Sequence, residues 1–516
     1  MKHFVKVIWV IIVYSVLNGC SNKNKTEKKP LFSNPVRTVI AGKIINPPDE
    51  DPVLMFIIDD IATARQIIDY SGVNPKDSIF RFVIDLYHPN NILIKYLKLF
   101  SVFVHPGDSL FLTVDGKYYN DEEKFFNNLT YSGDTLKLNK LLNKFYTGSK
   151  MRMSDYTKFM EFQKRCTPEE MKHYADSLRK ENHKRFISFD SLYHPPEEFK
   201  RYVNISSLSN CISDLSLYPY WHAKYNGLNK DDVVNPSYYD YFENIKFTES
   251  DIICPSVSSI ANSYVAGYVD KHLKEKLRSE GKARDTIKNN KKRTIYDVDF
   301  SVEQLRYIPE ITKDTLLLQL SLCNIYGQKL QGMNYRFFEK NRDIFDKYIT
   351  KPYLREPLLA YYNEVKYKCI KPEIASQAIL DDLKETPAKK IYNRIIEKNK
   401  GKVIYLDCWE TACSPCRAEM PYSKKLMAKL DTSQVAFVYI CFNSRKETWK
   451  GLLTEWQLGG QQYYADRKQS KYLSKALAVN GFPHYLLIDA DGNVVDMNLR
   501  PSNRDTYLKI KGLINK

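Results

Sequence analysis

Cys413-Ser-Pro-Cys416 is the part of this sequence best suited to covalent chemistry. Two intervening residues let one turn of backbone bring both sulfurs within disulfide reach. The segment follows a short apolar run, Val403-Ile-Tyr-Leu-Asp-Cys-Trp409, and opens a helix-favouring stretch that continues to Leu430. A cysteine at a helix start meets free backbone N–H groups and the positive end of the helix dipole, which together stabilise a thiolate. That thiolate attacks a substrate disulfide, and the second cysteine resolves the mixed disulfide. Pro415 suits the first helical turn, where a missing N–H costs little. Half of a zinc site and a chance pair are the competing readings. Zinc would need a second ligand pair, and the sequence holds no other C-x-x-C, no H-x-x-x-H and no Cys/His cluster, so no metal is expected.

The flanks say more. Asp407-Cys-Trp409-Glu-Thr-Ala-Cys-Ser-Pro-Cys-Arg-Ala-Glu-Met-Pro421 resembles the active-site segment of the TlpA/ResA-type thioredoxin-like reductases, and Gly481-Phe482-Pro483, just before His484-Tyr-Leu-Leu-Ile488, is similar to that family's cis-proline loop. The resemblance covers about residues 395–516. It implies Cys413 as nucleophile and Cys416 as the more buried resolving thiol, with no cofactor beyond their redox-active disulfide. It implies a cis Pro483 whose loop faces the sulfurs, and a Phe482 backbone able to pair with substrate main chain. Asp407 would be the buried carboxylate that relays the proton leaving Cys416; the plainer expectation is a strand-end residue bonded to backbone. Trp409 would pack beside the site or serve as an ordinary core aromatic.

The sequence departs from the family in three places. Ala412 stands where Trp usually precedes the first cysteine, and Cys408 stands where Phe is expected. The helical-looking Ala388 to Asn399 replaces a β-hairpin. Cys408 and Cys441 are expected as small buried core residues on neighbouring strands, with a regulatory third thiol as the alternative. Glu447 is the nearest candidate for the acid such reductases carry close to the site. His484 either hydrogen-bonds a thiolate or substrate, or begins a strand at the surface. Cys166, Cys211, Cys254, Cys323 and Cys369 are odd in number and suggest no disulfide framework.

Three kinds of segment must position this site, and a chain of 516 residues has room for them. Residues 36–117 read as a small β-sandwich, with strands expected at Val39–Ile45, Val53–Ile58, Ser78–Ile84 and Ser109–Val114. Residues 118–398 form a mostly α-helical middle region; Thr167-Pro-Glu-Glu has the pattern of a helix start, and Ser279 to Lys292 is expected as an exposed loop. Residues 399–516 alternate strands and helices as a C-terminal α/β thioredoxin-like domain. The fold class is therefore multidomain.

The first residues bear on where this chemistry takes place. Lys2 and Lys6 precede an apolar run from Val7 to Leu17, too short for the ~20 residues a spanning helix requires. Leu17-Asn18-Gly19-Cys20 resembles the lipobox of bacterial lipoproteins. That resemblance implies a signal peptide over 1–19, lipid attachment at Cys20 and a tether over 20–35, holding the chain on the periplasmic side of a membrane. The net charge of +17 is spread along the chain and suits anionic headgroups; no nucleic-acid motif accompanies it. Expected partners are disulfide-containing exported proteins and, as the family resemblance implies, a membrane electron donor. The leading reading is a reductant of such disulfides. The alternative is a lipid-anchored scaffold whose thioredoxin-like domain is an accessory.

Overall fold

The computed structural model describes residues 34–48, 52–147, 156–288, 291–381, 383–384, 386–497 and 499–515. The expected lipid-attachment residue Cys20 and its tether lie outside them.

Eight strands build the N-terminal unit: β1 (Val36–Ile45), β2 (Val53–Asp60), β3 (Arg65–Gly72), β4 (Ile79–Leu86), β5 (Asn90–Tyr96), β6 (Lys98–Val104), β7 (Ser109–Asp115) and β8 (Thr130–Gly133). They form two four-stranded sheets, ordered β4-β1-β7-β8 and β3-β2-β5-β6. Alternate residues of both sheets fill one core, where Phe56 of one sheet stacks on Phe82 of the other at 4.1 Å between centroids. The sheet does not stop at residue 117: helix α1 (Glu122–Asn127) leads into β8, which pairs with β7. β3 escaped the sequence reading because most of its residues are exposed on both faces, so no apolar alternation marks it.

The middle region is helical: α2 (Leu136–Thr147), α3 (Tyr156–Arg165), α4 (Pro168–Tyr193), α5 (Glu197–Asn226), α6 (Ser256–Tyr264), α7 (Asp270–Ser279), α8 (Phe300–Ile311), α9 (Thr315–Gln331), α10 (Tyr335–Lys340), α11 (Arg342–Tyr348) and α12 (Pro352–Ile370). Thr167 begins α4 as its pattern predicts: its hydroxyl accepts from the Glu170 amide, and Glu170 accepts from the Thr167 amide. Most of the described residues of the stretch expected as a loop over 279–292 are strand. They contribute most of a hairpin of β9 (Ala283–Lys288) and β10 (Lys291–Tyr296), braced by polar pairs such as Thr294 Oγ1 to Asp285 at 2.8 Å rather than by an apolar stripe.

The sandwich is pinned to the helices by buried contacts. Phe103 sits edge-on to Tyr202 of α5, and Tyr202 donates to Asn91. α9 passes so close to the β2–β3 turn that a Cβ on Gly327 would lie 2.1 Å from the Thr63 carbonyl. At the same junction the His105 imidazole contacts Asp108 at 3.2 Å and Glu198 of α5 at 2.6 Å. Burial alone would push this imidazole down, but the hydrogen bonds and charges of the two carboxylates hold it up at about 9. Its folded value exceeds the unfolded one, so its stabilisation is complete below about pH 6.5 and lost as pH rises through about 9. We expect urea stability to fall by on the order of 2–3 kcal/mol over that window, and His105→Ala to remove the dependence.

The C-terminal sheet is ordered β11-β14-β13-β12-β15-β16. Its strands are β11 (Ala378–Asp381), β12 (Val403–Glu410), β13 (Val435–Phe442), β14 (Gly460–Tyr464), β15 (His484–Ile488) and β16 (Val494–Met497). β11 to β12 run parallel across the sheet, and β15 and β16 run antiparallel. The sheet thus recruits a strand from before residue 399; β11 is too short and too exposed to show a pattern. One face packs on α13 (Ile391–Lys398) and α16 (Arg467–Ala476). The other packs on α14 (Ser414–Ala428), α15 (Lys446–Trp456) and α17 (Arg504–Ile514), and its core is continuous with that of the helical region.

That continuity rests on α12 against α15. A Cβ on Gly451 would come within 2.7 Å of the Cys369 sulfur. Lys368 reaches both Glu364 and Glu455, and Gln457 donates to the Glu373 carbonyl at 2.6 Å. Gly451→Val should therefore cost about 1–3 kcal/mol, read as a lowered urea midpoint.

Candidate active site

β12 is buried along almost its whole length, as a central strand in a two-faced sheet must be. Alternation then sorts its side chains. Tyr405, Asp407 and Trp409 point toward α14, whereas Ile404, Leu406 and Cys408 point toward α13 and α16. Cys441 pairs in register with Trp409 and Cys408 with Ile440, so these two buried thiols lie on opposite faces and serve as core, as expected.

At the end of β12 the chain turns through Thr411 and Ala412 into α14. Cys413 caps this helix, and Pro415 occupies its first turn. Cys413 and Cys416 are joined in a disulfide. The Cys416 amide donates to the Cys413 sulfur at 3.1 Å, and the Arg417 amide donates to the Cys413 carbonyl at 3.2 Å. Cys413 is 9% exposed and Cys416 1%, so the first sulfur is the accessible one. Once the bond is reduced, the amide that now faces Cys413 would face its thiolate.

The Phe482–Pro483 peptide is cis, and it lies immediately before β15. Because β15 is hydrogen-bonded to β12, this loop sits at the same end of the sheet as the cysteines. Phe482 is half-buried against Phe442. His484, by contrast, does not face the sulfurs: it is buried on the α13–α16 face, pairs in register with Cys408, and bonds the Leu477 carbonyl at 3.0 Å. Burial lowers its pKa and favours the neutral ring.

Beneath α14 lies Asp407, 1% exposed, with neither carboxylate oxygen hydrogen-bonded among the described residues. It is flanked in register by Tyr439 and Tyr485. Desolvation, followed by the nearby Glu419 charge, pushes its pKa well above the ordinary carboxylate value. It is therefore not the backbone-bonded strand-end residue of the plainer expectation. Trp409 is fully buried, its indole tilted against Trp456 at 5.2 Å.

Glu419 is the acid that sequence reasoning missed. It stands one helical turn beyond Cys416, 7% exposed, and accepts from the Ser502 amide and hydroxyl at 3.0 and 2.9 Å. Its i+3 spacing from Cys416 was the available signal. Glu447, the earlier candidate, is committed to Arg336 at 3.0 Å. Arg417 meanwhile reaches out of the domain: its half-buried guanidinium donates to the Gln331 carbonyl of α9 at 2.8 Å.

Comparison with known proteins agrees with this geometry. Residues 390–512 match the Redoxin family. The chain is 26% identical over 113 residues to the thiol-disulfide oxidoreductase ResA of Bacillus thuringiensis (strain Al Hakam), covering 21% of this chain and 64% of that protein. To the Bacillus cereus (strain ATCC 10987) protein of the same name it is 27% identical over 125 residues, 24% of this chain and 69% of the relative. Among solved structures, the thioredoxin domain of a Bacteroides vulgatus thiol-disulfide oxidoreductase shares 28% identity over 23% of this chain and 84% of that one, with a TM-score of 0.22 over so small a share. The match thus spans just under two thirds of the first of these relatives and about a quarter of this chain. The C-terminal quarter of this protein is a thioredoxin-like Redoxin domain, similar to proteins named thiol-disulfide oxidoreductases.

Proposed function

We propose that the protein reduces disulfides in exported polypeptides through Cys413 and Cys416. The observation that carries this reading is the disulfide at the N-terminus of α14, with the more exposed sulfur first and a buried Asp407 without hydrogen-bond partners among the described residues behind it. In the dithiol form the Cys413 thiolate attacks one substrate sulfur. The substrate S–S bond breaks, a mixed disulfide forms, and the first substrate thiolate leaves. Cys416 then passes its proton to the Asp407 carboxylate and attacks the Cys413 sulfur. This closes Cys413–Cys416 and releases the second substrate thiolate. Two electrons have moved from enzyme to substrate, and a dithiol donor at the membrane restores the enzyme pair. Phe482, ahead of the cis bond, supplies main chain for the substrate strand to pair with.

Lipid attachment at Cys20 would hold this cycle at the periplasmic side of the membrane. Among the described residues no helix is long and apolar enough to cross a membrane. Cys20→Ala should move the protein from the membrane to the soluble fraction of the envelope; an unchanged distribution would exclude the anchor. For the activity, the Cys416→Ser variant should accumulate mixed disulfides with envelope proteins that vanish in Cys413→Ser/Cys416→Ser. Absence of any Cys413-dependent adduct would contradict the proposal.

A further inference from the structure

Arg417 takes no part in the thiol chemistry, yet it stands where two helix ends meet. On one side α9 runs out at Gln331. The amides of Gly332, Asn334 and Met333 bond the carbonyls of Gln328, Lys329 and Leu330, which leaves the Gln331 carbonyl for another donor. Arg417 Nη1 supplies it at 2.8 Å, a cation at the negative end of the α9 dipole. Gln331 is fixed in turn to the sandwich, its side chain donating to the Ala64 carbonyl at 3.0 Å. On the other side Arg417 closes the first turn of α14: its amide donates to the carbonyl of Cys413, four residues back, at 3.2 Å. That turn also carries the Cys416 amide that meets the Cys413 sulfur.

A guanidinium is costly to bury in such a place. Beyond the bond to Gln331, the Arg417 side chain makes no hydrogen bond or ion pair among the described residues, and its Nε is buried without a partner. An apolar side chain would pack there at less cost, so cohesion between α9 and α14 does not account for it. We infer that Arg417 is a positioning residue through which the helical region holds the first turn of α14 in shape when the disulfide opens. The inference rests on the thiol–disulfide reading above. In the oxidised form the S–S bond closes the turn covalently. In the dithiol that link is gone, and a helix end without it is free to fray. Arg417, anchored at Gln331, keeps its own amide on the Cys413 carbonyl, and so keeps the N–H groups of the turn around the Cys413 thiolate. The tie therefore favours the reduced, ionised pair.

The test uses the purified full chain. Arg417→Met keeps the apolar stem and removes the donor, and Arg417→Lys restores one donor. Gly332→Leu leaves the sequence of the redox domain intact but crowds the tie, since a Cβ at 332 would already lie 3.5 Å from Arg417 Nη1. Arg417→Met and Gly332→Leu should each slow iodoacetamide alkylation of Cys413 about fivefold at pH 7, with the pH inflexion moved upward. Arg417→Lys should recover most of the rate. In equilibrium with glutathione, Arg417→Met and Gly332→Leu should shift about tenfold toward the Cys413–Cys416 disulfide. Their urea midpoints should fall less in the oxidised form than in the reduced one. A wild-type alkylation profile in Arg417→Met, or equal losses of midpoint in both redox forms with no shift against glutathione, would overturn the inference. So would an effect of Arg417→Met that a folded Gly332→Leu does not reproduce, because the helical region would then have no part in it. Should Gly332→Leu not fold, Arg417→Met and its rescue by Arg417→Lys decide. Wild type whose Cys413 and Cys416 never form a disulfide against glutathione would overturn the redox reading itself.

Discussion

Cys413→Ser is expected to lower steady-state reduction of a polypeptide disulfide by at least about a thousandfold, because it removes the nucleophile itself. Cys416→Ser should abolish turnover equally but by a different route. Its first step survives, so one equivalent of substrate thiol should appear in a burst and then stop. The asymmetry follows from placement. Cys413 caps α14 at the surface, where the Cys416 amide meets its sulfur, whereas Cys416 lies inside the first turn at 1% exposure. Rapid quench with alkylation and mass analysis distinguishes the two variants. A burst from Cys413→Ser, or none from Cys416→Ser, would reverse the assignment.

Asp407→Asn should separate stability from rate. Wild-type Asp407 has a folded pKa raised by desolvation and by Glu419. The unfolded chain therefore releases this proton at lower pH than the folded one. The ionisation penalty is absent below the ordinary carboxylate pKa, grows as pH rises toward the folded value, and is complete above it. The amide cannot ionise, so the variant should be more stable than wild type at pH 7, by about 1–3 kcal/mol in urea unfolding. Its resolving step should be about 10- to 100-fold slower, the pH inflexion set by Asp407 should disappear, and Cys413 alkylation should be little affected. A variant that is destabilised, or that resolves at the wild-type rate, would remove Asp407 from the proton path.

The local chemistry of this site was legible in the sequence because strand, turn, cysteine cap and proline are contiguous from Val403 to Cys416, and Gly481-Phe-Pro483 is a second contiguous signal. Burial of Asp407 could be inferred from its place in an apolar run; its lack of any hydrogen-bond partner could not, since that depends on what β13 and β15 place beside it. Glu419 was hidden for a related reason. Arg417 and Glu419 look like an ordinary charged helix face, and only the fold shows that Glu419 turns inward to Ser502 while Arg417 turns to Gln331. In the sandwich, β1, β2, β4 and β7 were readable, whereas β3, β5, β6 and β8 were not; β3 is exposed on both faces and carries no apolar alternation.

The most direct measurement is a single turnover of the reduced, purified chain with a disulfide-bearing polypeptide, followed by thiol-specific mass tagging of every cysteine. The account predicts that two substrate thiols appear for each Cys413–Cys416 pair that loses its tags, with Cys408 and Cys441 unchanged. Substrate left oxidised, or substrate thiols gained while Cys413 and Cys416 keep their tags, would contradict it and favour a scaffold with an idle thioredoxin-like domain.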